Sequence, residues 1–328
     1  MSMTIGVTGT GSLIGQAIIK CIKASEKYKD ATLVGFDYFE KTVGSFWCDT
    51  NFLLPDILKN VSEKEFLNFV EDKIKLHQMK FLFLGVDFEM PIFAKHKDEM
   101  EQRTGCKILV CSSDVVKVAN SKYDTFDFLK KNNFSYPSTY RINEVPNNLS
   151  DFPMIMKPDV GARSRNVYKV KSLDEAKEKS KGDSSYILQE LIGNDEVEYT
   201  CGTVYFKDLD DFPILPLKRS LKEGNTFIAE YNPNDPNLPV IYDYIKKLVP
   251  VLNPYGSCNF QLRIDSNGQP KLFEINSRHS GTTFMRCKFG FNEVEFILDY
   301  FLENKKSIKL NLKRGKVVRY YDEFFIEN

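Results

Sequence analysis

At 328 residues the chain is long enough for about two or three domains, and its 42% apolar content can fill packed cores. Lys+Arg 45 balances Asp+Glu 45, so no net field draws the protein to nucleic acid or an anionic membrane, and any basic site has to be local. Seven irregularly spaced cysteines without a CxxC pair argue against a disulfide framework or a zinc site and point to free thiols in a reducing, cytoplasmic setting.

The N-terminal run Met-Ser-Met-Thr-Ile-Gly-Val-Thr-Gly has no basic segment leading into an apolar one, so no signal peptide is expected. No stretch approaches the ~20 apolar residues of a membrane span. Strand and helix patterns then alternate. Thr4–Thr8 is a short strand, Ile14–Ile22 has helical spacing, and Ala31–Phe36 is a strand ending at Asp37. Further on, Phe66–His77 and Pro91–Thr104 predict helices, and Phe81–Gly85 and Lys107–Cys111 predict strands. This alternation predicts a doubly wound, mostly parallel α/β domain over residues 1–112.

After Ser112 the texture changes to α+β. A helix is expected over Ser121–Asn132, strands at Pro153–Pro158 and Val167–Val170, and a helix at Leu173–Lys181. This unit, 113–186, has the size of a lid. The section 187–328 is rich in strands: Tyr186–Gln189 at its start, Val197–Tyr205, Ser257–Ile264, Lys271–Ile275 and Val317–Tyr321. Helices are expected at Val240–Val251 and Asn292–Leu302.

The most informative stretch is 256–278. Asn267-Gly268 predicts a two-residue type I′ turn, which needs φ > 0 at both central positions. Counting back from it sets Gln261 opposite Glu274, Asn259 opposite Asn276, and Arg263 opposite Leu272. Alternation puts Gln261, Arg263, Glu274 and Asn276 on one face and Phe260, Leu262, Phe273 and Ile275 on the other. A carboxylate between two amides is an oxygen set suited to Mg²⁺, which fills its octahedron with water and phosphate oxygens.

Ahead of this hairpin lie Lys157 at a strand end, the loop Gly161-Ala-Arg-Ser-Arg-Asn166, and the run Tyr186-Ile-Leu-Gln-Glu-Leu-Ile-Gly-Asn-Asp-Glu196; Phe273-Glu-Ile-Asn-Ser-Arg278 follows. In this order and spacing, residues 113–290 resemble the ATP-grasp superfamily, nearest to carbamoyl-phosphate-synthase-like enzymes and carboxylate–amine ligases. The resemblance implies an ATP-grasp fold behind a Rossmann-like pre-ATP-grasp domain. It implies ATP and Mg²⁺ (or Mn²⁺) as cofactors, small-molecule carboxylate and amine substrates, and an assembly that is often a homodimer.

By the same resemblance, Lys122 and Lys157 reach the nucleotide phosphates. Gly161, Ser164 and Arg165 belong to the phosphate-covering loop, where Ala162 and Asn166 stand at positions that are commonly glycine. Gln189, Glu190, Leu191 and Ile192 form the hinge that pairs with adenine, and Glu196 binds the ribose. Gln261, Glu274 and Asn276 hold metal, and Arg278 neutralises the transferring phosphate, with Lys157 and Arg165 assisting. Glu198, sharing a face with Glu196, Lys218 or Arg219, and His279 are further candidates. The Ser280-Gly-Thr-Thr-Phe run, with Arg286, is a candidate for holding a substrate carboxylate. The segment Glu223–Pro239 is expected to help select substrate.

The implied reaction activates a carboxylate as an acyl phosphate for attack by an amine or another nucleophile. A kinase, or a nucleotide-binding module without turnover, fits the same residues. A different class starts from Gly9-Thr-Gly-Ser-Leu-Ile-Gly15 with Asp37, which resembles a dinucleotide-binding fingerprint. No Tyr-x-x-x-Lys follows in that domain, so an NAD(P) oxidoreductase is the lower alternative.

Overall fold

The computed structural model describes residues 3–59, 61–161, 166–193 and 197–326. Its first sheet is parallel throughout: β1 (Thr4–Thr8), β2 (Thr32–Asp37), β3 (Thr50–Leu53), β4 (Phe81–Phe83) and β5 (Lys107–Leu109), in the order β3-β2-β1-β4-β5. Helices α1 (Leu13–Lys23), α2 (Val43–Phe46), α3 (Glu63–Leu76) and α4 (Met90–Thr104) connect the strands. With helices on both faces the central strands are buried along almost their whole length, as a doubly wound sheet requires. Ser12 caps α1 by accepting from Gly15 N, Ser62 caps α3, and Gly105 in the left-handed region ends α4.

Helices α5 (Ser113–Asn120) and α6 (Lys122–Lys131) lead into a four-stranded antiparallel sheet. It comprises β6 (Thr139–Arg141), β7 (Met154–Pro158), β8 (Tyr168–Val170) and β9 (Tyr186–Glu190), with α7 (Leu173–Ser180). The order is β6-β9-β7-β8. The strand at 186–190, grouped by sequence with the last section, therefore completes this small sheet by pairing with β7 and β6.

The third sheet is six-stranded and antiparallel. Its strands are β10 (Glu198–Tyr205), β11 (Ile214–Lys222), β12 (Asn225–Tyr231), β13 (Gly256–Ile264), β14 (Pro270–Asn276) and β15 (Gly315–Val318). They run β14-β13-β10-β11-β12-β15. Helices α8 (Leu238–Leu252), α9 (Thr283–Phe289) and α10 (Glu293–Glu303) accompany it. The β11–β12 hairpin was not anticipated. Its turn is Glu223-Gly224, with φ +52° and +73°, so a type I′ turn is built on a residue that rarely accepts that conformation.

Two cores join the first and third sheets. One runs from Val34, Phe66 and Phe93 to Ile241, Leu248 and Phe260; the other from Ile5, Ile18 and Phe83 to Phe206, Phe291 and Ile297. The four-stranded sheet has a separate small core of Ile142, Met154, Met156, Val170, Ala176 and Leu188. The five-stranded and six-stranded sheets thus form one packed body, while the four-stranded sheet keeps a small core of its own. Among the described residues no helix is long and apolar enough to cross a membrane, and all seven cysteines are free.

Candidate functional site

The hairpin β13–β14 is built differently from the expectation near its tip and as expected further out. The loop is three residues, not two. Gly268 N donates to Asp265 O at 3.0 Å, Asp265 N donates to Gln269 O at 2.9 Å, and Gly268 alone has positive φ, +75°. The Asp265 carboxylate fixes this shape by accepting from Asn267 N and Gln269 N. Arg263 therefore faces Lys271 and not Leu272.

A bulge at Phe273 then restores the count, so that Gln261 faces Glu274 and Asn259 faces Asn276. The bulge also turns Phe273 out of the core. It is half-buried and lines a cleft, contrary to the alternation expected for it.

That cleft, about 600 Å³, lies between the small sheet and the six-stranded one. Its walls include Ile155, Val167, Leu191 and Phe273, which make an apolar slot, with Gln189, Glu190 and Ile192 along the β9 hinge. Gln189 is buried and donates to Thr139 Oγ1 at 2.9 Å, and the Glu190 carboxylate accepts from Ser138 N at 2.9 Å. Lys157, only 8% exposed, enters from β7 with Nζ 5.3 Å from the Phe273 ring centroid. Burial, and then the nearby Lys122, lower its pKa to about 8 against the pull of Glu274 and Glu198.

Lys122 Nζ donates to the carbonyls of Asp159 and Gly161 at 3.0 and 3.2 Å. The Asp159 carboxylate in turn accepts from Ser121 Oγ and Tyr123 N, tying the start of α6 to the loop entrance. Asn166, at the loop's exit, has φ +55°, so it performs the backbone role of the glycine it replaces. Ser164, Arg165 and Glu196 lie outside the described residues.

A second cavity of about 700 Å³ adjoins the first and shares Lys122, Gly161, Arg219, Gln261 and Glu274 with it. Asn276 and Arg278 line only this second cavity. Glu274 Oε1 accepts from Gln261 Nε2 at 2.8 Å and from Asn276 Nδ2 at 3.0 Å. Arg219 Nη2 donates to Gln261 Oε1 at 2.6 Å, while its Nε donates to the buried Glu198 at 2.8 Å. Arg263 Nη2 donates to the other Glu198 oxygen at 2.9 Å.

Glu198 is thus the centre of a buried ion cluster and not a carboxylate on a solvated face. Of the Lys218/Arg219 pair, Arg219 is the residue that lines both cavities. No strand is expected from the sequence over 214–222, which leaves this cluster out of view; the period-two run Leu215, Leu217, Arg219 is the available signal. Arg278 Nε donates to Asp87 Oδ1 at 2.6 Å.

One carboxylate with two amides meets the chemistry of Mg²⁺ delivered with a polyphosphate, since Mg²⁺ commonly takes one or two protein carboxylates. No group of three or more His, Cys, Asp or Glu side chains that could hold a metal occurs among the described residues, so this set does not resemble a Zn²⁺ or Ca²⁺ cage.

Two candidates are corrected. His279 is buried against Phe83, with its pKa pushed down to about 4 by burial, so it is a neutral core residue. Arg286 has no exposed surface. It pairs with Glu293 and donates to Asn259, Ser280, Thr282 and Thr283. Those hydroxyls hold Arg286 in place, and the guanidinium itself cannot touch a substrate.

The dinucleotide reading also fails on geometry. Gly11 N and Thr10 Oγ1 both donate to Asp37 Oδ2, at 2.6 and 3.0 Å, so the acid that would bind a ribose is spent on the loop. Helix α2 then closes this side. A Cβ on Gly44 would stand 1.8 Å from Thr10 O, and one on Gly11 would stand 2.6 Å from Thr42 Cγ2.

A parallel sheet carrying two antiparallel ones, with a cleft between the latter lined by lysines and an acid–amide set, defines an ATP-grasp architecture. Residues 119–203 match the family model described as "ATP-grasp domain", and residues 237–324 match the one described as "ATP-grasp in the biosynthetic pathway with Ter operon". These matches and the shared fold place the chain in the ATP-grasp superfamily. No curated protein matches the sequence.

Among solved structures, N5-carboxyaminoimidazole synthetase from Staphylococcus aureus, complexed with ADP, superposes with TM-score 0.74 at 14% identity, covering 96% of this chain and 81% of that one. L-amino acid ligase from Bacillus licheniformis gives 0.70 at 15%, covering 91% and 74%. The biotin carboxylase domain of the Hydrogenobacter thermophilus 2-oxoglutarate carboxylase, a dimer with MgADP and bicarbonate, gives 0.71 at 11%, covering 96% and 74%. At these identities the likeness concerns the fold.

Proposed function

We propose that this protein is a Mg·ATP-dependent carboxylate–amine ligase. The observation that carries the reading is that Lys157 from the small sheet and Glu274 from the large one line a single cleft, with Gln261 between them and the second cavity. The adenine ring would lie in the slot of Ile155, Val167, Leu191 and Phe273, against the main chain of Glu190–Ile192. Glu196 would take the ribose. Lys122 and Lys157 would face the phosphates, under the loop that carries Gly161, Ser164 and Arg165.

Glu274, Gln261 and Asn276 would hold Mg²⁺, whose charge, when present, offsets that of the phosphates. Arg219 donates to the Gln261 amide oxygen at 2.6 Å, so Gln261 would hold the ion through the remaining lone pair of that oxygen or after releasing Arg219. Arg278 would neutralise the phosphoryl group as a carboxylate oxygen attacks it in line, with Arg165 assisting from the loop. The protein supplies position and fixed charge and forms no covalent bond of its own. An amine entering from the second cavity would then attack the acyl phosphate, while the closed small sheet keeps water away.

We assign three units: a Rossmann-like unit 1–112, a lid from 113 that runs to Glu190 so as to include β9, and the remainder to 328. A homodimer is the assembly we assign, by analogy with the dimeric carboxylase domain, and a cytoplasmic location fits the free thiols.

The test is a thermal-shift series with Mg·ATP on wild type and Glu274→Ala, together with product analysis. A ligand that binds the folded state raises apparent stability by mass action. The expected result is a rise for wild type and a much smaller one for the variant. ADP and phosphate should appear only when both an acid and an amine are present. A stable phosphorylated acid as end product would replace the ligase reading with a kinase.

A further inference from the structure

The strand–turn–helix at the N-terminus, closed to a dinucleotide on its Gly11 side, is open on its other side. Ser12, Leu13 and Ile14, the cap and first residues of α1, line the 700 Å³ cavity. So does Arg319, more than 300 positions away in sequence. Gly281 sits between them: a Cβ there would lie 3.6 Å from Leu13 Cβ and 3.8 Å from Arg319 Nη2. The absence of a side chain at 281 therefore leaves a gap flanked by a guanidinium and the positive end of an eleven-residue helix.

The charges around this cavity are unequal. Its cations are Lys122, Arg219, Arg278 and Arg319, and its acids are Asp87 and Glu274. Arg219 is paired with Glu198, and Arg278 with Asp87. Arg319 is held only by main-chain carbonyls, through Nε to Thr226 O at 3.0 Å and Nη2 to Gly281 O at 2.6 Å. Among the described residues no carboxylate pairs with it. A partly desolvated guanidinium without an anion is costly unless one arrives.

One buried donor among the residues lining this cavity is left without a partner. Asn259 is fully buried, and its Oδ1 accepts from Thr200 Oγ1 and Arg286 Nη1. Those donors forbid a flip of the amide, and Nδ2 is left without a partner.

We propose that the wall formed by the start of α1, Gly281 and Arg319 binds an anionic group of the substrate other than the carboxylate that is phosphorylated. The inference rests on the ligase reading for the identity of the reacting end. Leu13, Ile14 and Arg319 line the second cavity alone and not the nucleotide cleft, so this anion is not part of the triphosphate. This group is assigned to the acid and not to the amine, so the acid is at least dianionic: a dicarboxylate, or a carboxylate bearing a phosphate.

Binding is tested first without catalysis, by thermal shift with inorganic phosphate and with succinate on wild type, Arg319→Gln and Leu13→Pro. Proline is tolerated at the first helical position and deletes one N–H of the proposed site. The expected result is stabilisation of wild type by at least one probe, and a loss of apparent affinity of roughly tenfold or more in Arg319→Gln. Leu13→Pro should lose less, and the Mg·ATP response of both variants should remain.

Turnover is tested by ADP release with matched monocarboxylates, dicarboxylates and phosphorylated carboxylates. Whichever dianionic class is used should show a raised KM in Arg319→Gln with kcat little changed. No wild-type response to either anion, or monocarboxylates serving as well as dianions, overturns the proposal. Anion binding lost in Arg319→Gln, but no ADP release with any acid, would instead remove the ligase reading and leave the anion site standing. If Arg319→Gln also loses its Mg·ATP response, Leu13→Pro decides: unchanged anion affinity there overturns the proposal.

Discussion

Replacing Lys157 with methionine should stabilise the empty protein and abolish its response to Mg·ATP. The side chain is buried, and among the described residues no hydrogen bond or ion pair holds its ammonium. Burial first, and Lys122 second, bring its pKa from 10.5 to about 8. At 1.36 kcal/mol per unit, that displacement corresponds to a penalty of about 3 kcal/mol on the charged form.

The direction with pH follows from proton counting. Between about 8 and 10.5 the unfolded lysine holds its proton and the folded one has lost it, so stability rises with pH across that window. Below about 8 the penalty is present in full. Contact with the Phe273 ring returns about 0.5–2 kcal/mol, and methionine keeps most of the packing volume. The net gain for Lys157→Met near neutral pH should therefore be about 1–3 kcal/mol.

Urea unfolding of both proteins at about pH 7 and about pH 10 measures it, and the gap should narrow at the higher pH. A parallel melt with Mg·ATP should show a rise for wild type alone, because the triphosphate supplies the anion that the empty cleft lacks. If Lys157→Met is the less stable protein at neutral pH, or if the gap ignores pH, the claim that this lysine is held at a cost for a phosphate ligand is wrong.

Glu89 gives the opposite slope. Burial raises its pKa from 4.5 to about 7, despite the hydrogen bonds it accepts from Thr8 and Tyr38. The folded state therefore holds the proton more tightly, and stability contributed at acid pH is lost as pH rises from about 4.5 through about 7. In Glu89→Gln that part of the decline, about 3 kcal/mol, should vanish from pH-dependent unfolding curves. The Arg286–Glu293 pair, both fully buried, should cost about 3–5 kcal/mol when Glu293 alone becomes leucine. The double variant Arg286→Met/Glu293→Leu should recover part of that loss in a thermal melt, since no charge is then stranded.

Much of the fold was legible because it rests on local chemistry. Ser121 announces a helix start, and burial of almost all of β1 and β2 follows from their apolar runs. The pairing of Gln261 with Glu274 was also readable, though by a fortunate cancellation. The longer loop at Asp265 shifts the register by one, and the bulge at Phe273 shifts it back. Local sequence does not announce a bulge, because its cause is the surface that the strand must cover.

By itself, the sequence determined the order of elements and the residue types available to a nucleotide, a metal ion and an acid: those depend on neighbours a few positions apart. Tertiary structure alone decided that Glu198, Arg219 and Arg263, on three adjacent strands, neutralise one another. Tertiary structure likewise closed the glycine turn to a dinucleotide by laying α2 across it, and brought Arg319 beside the start of α1 around Gly281. Such encounters depend on strand order and on how two sheets share a core, and a charge has no local signature of the partner that folding will bring to it.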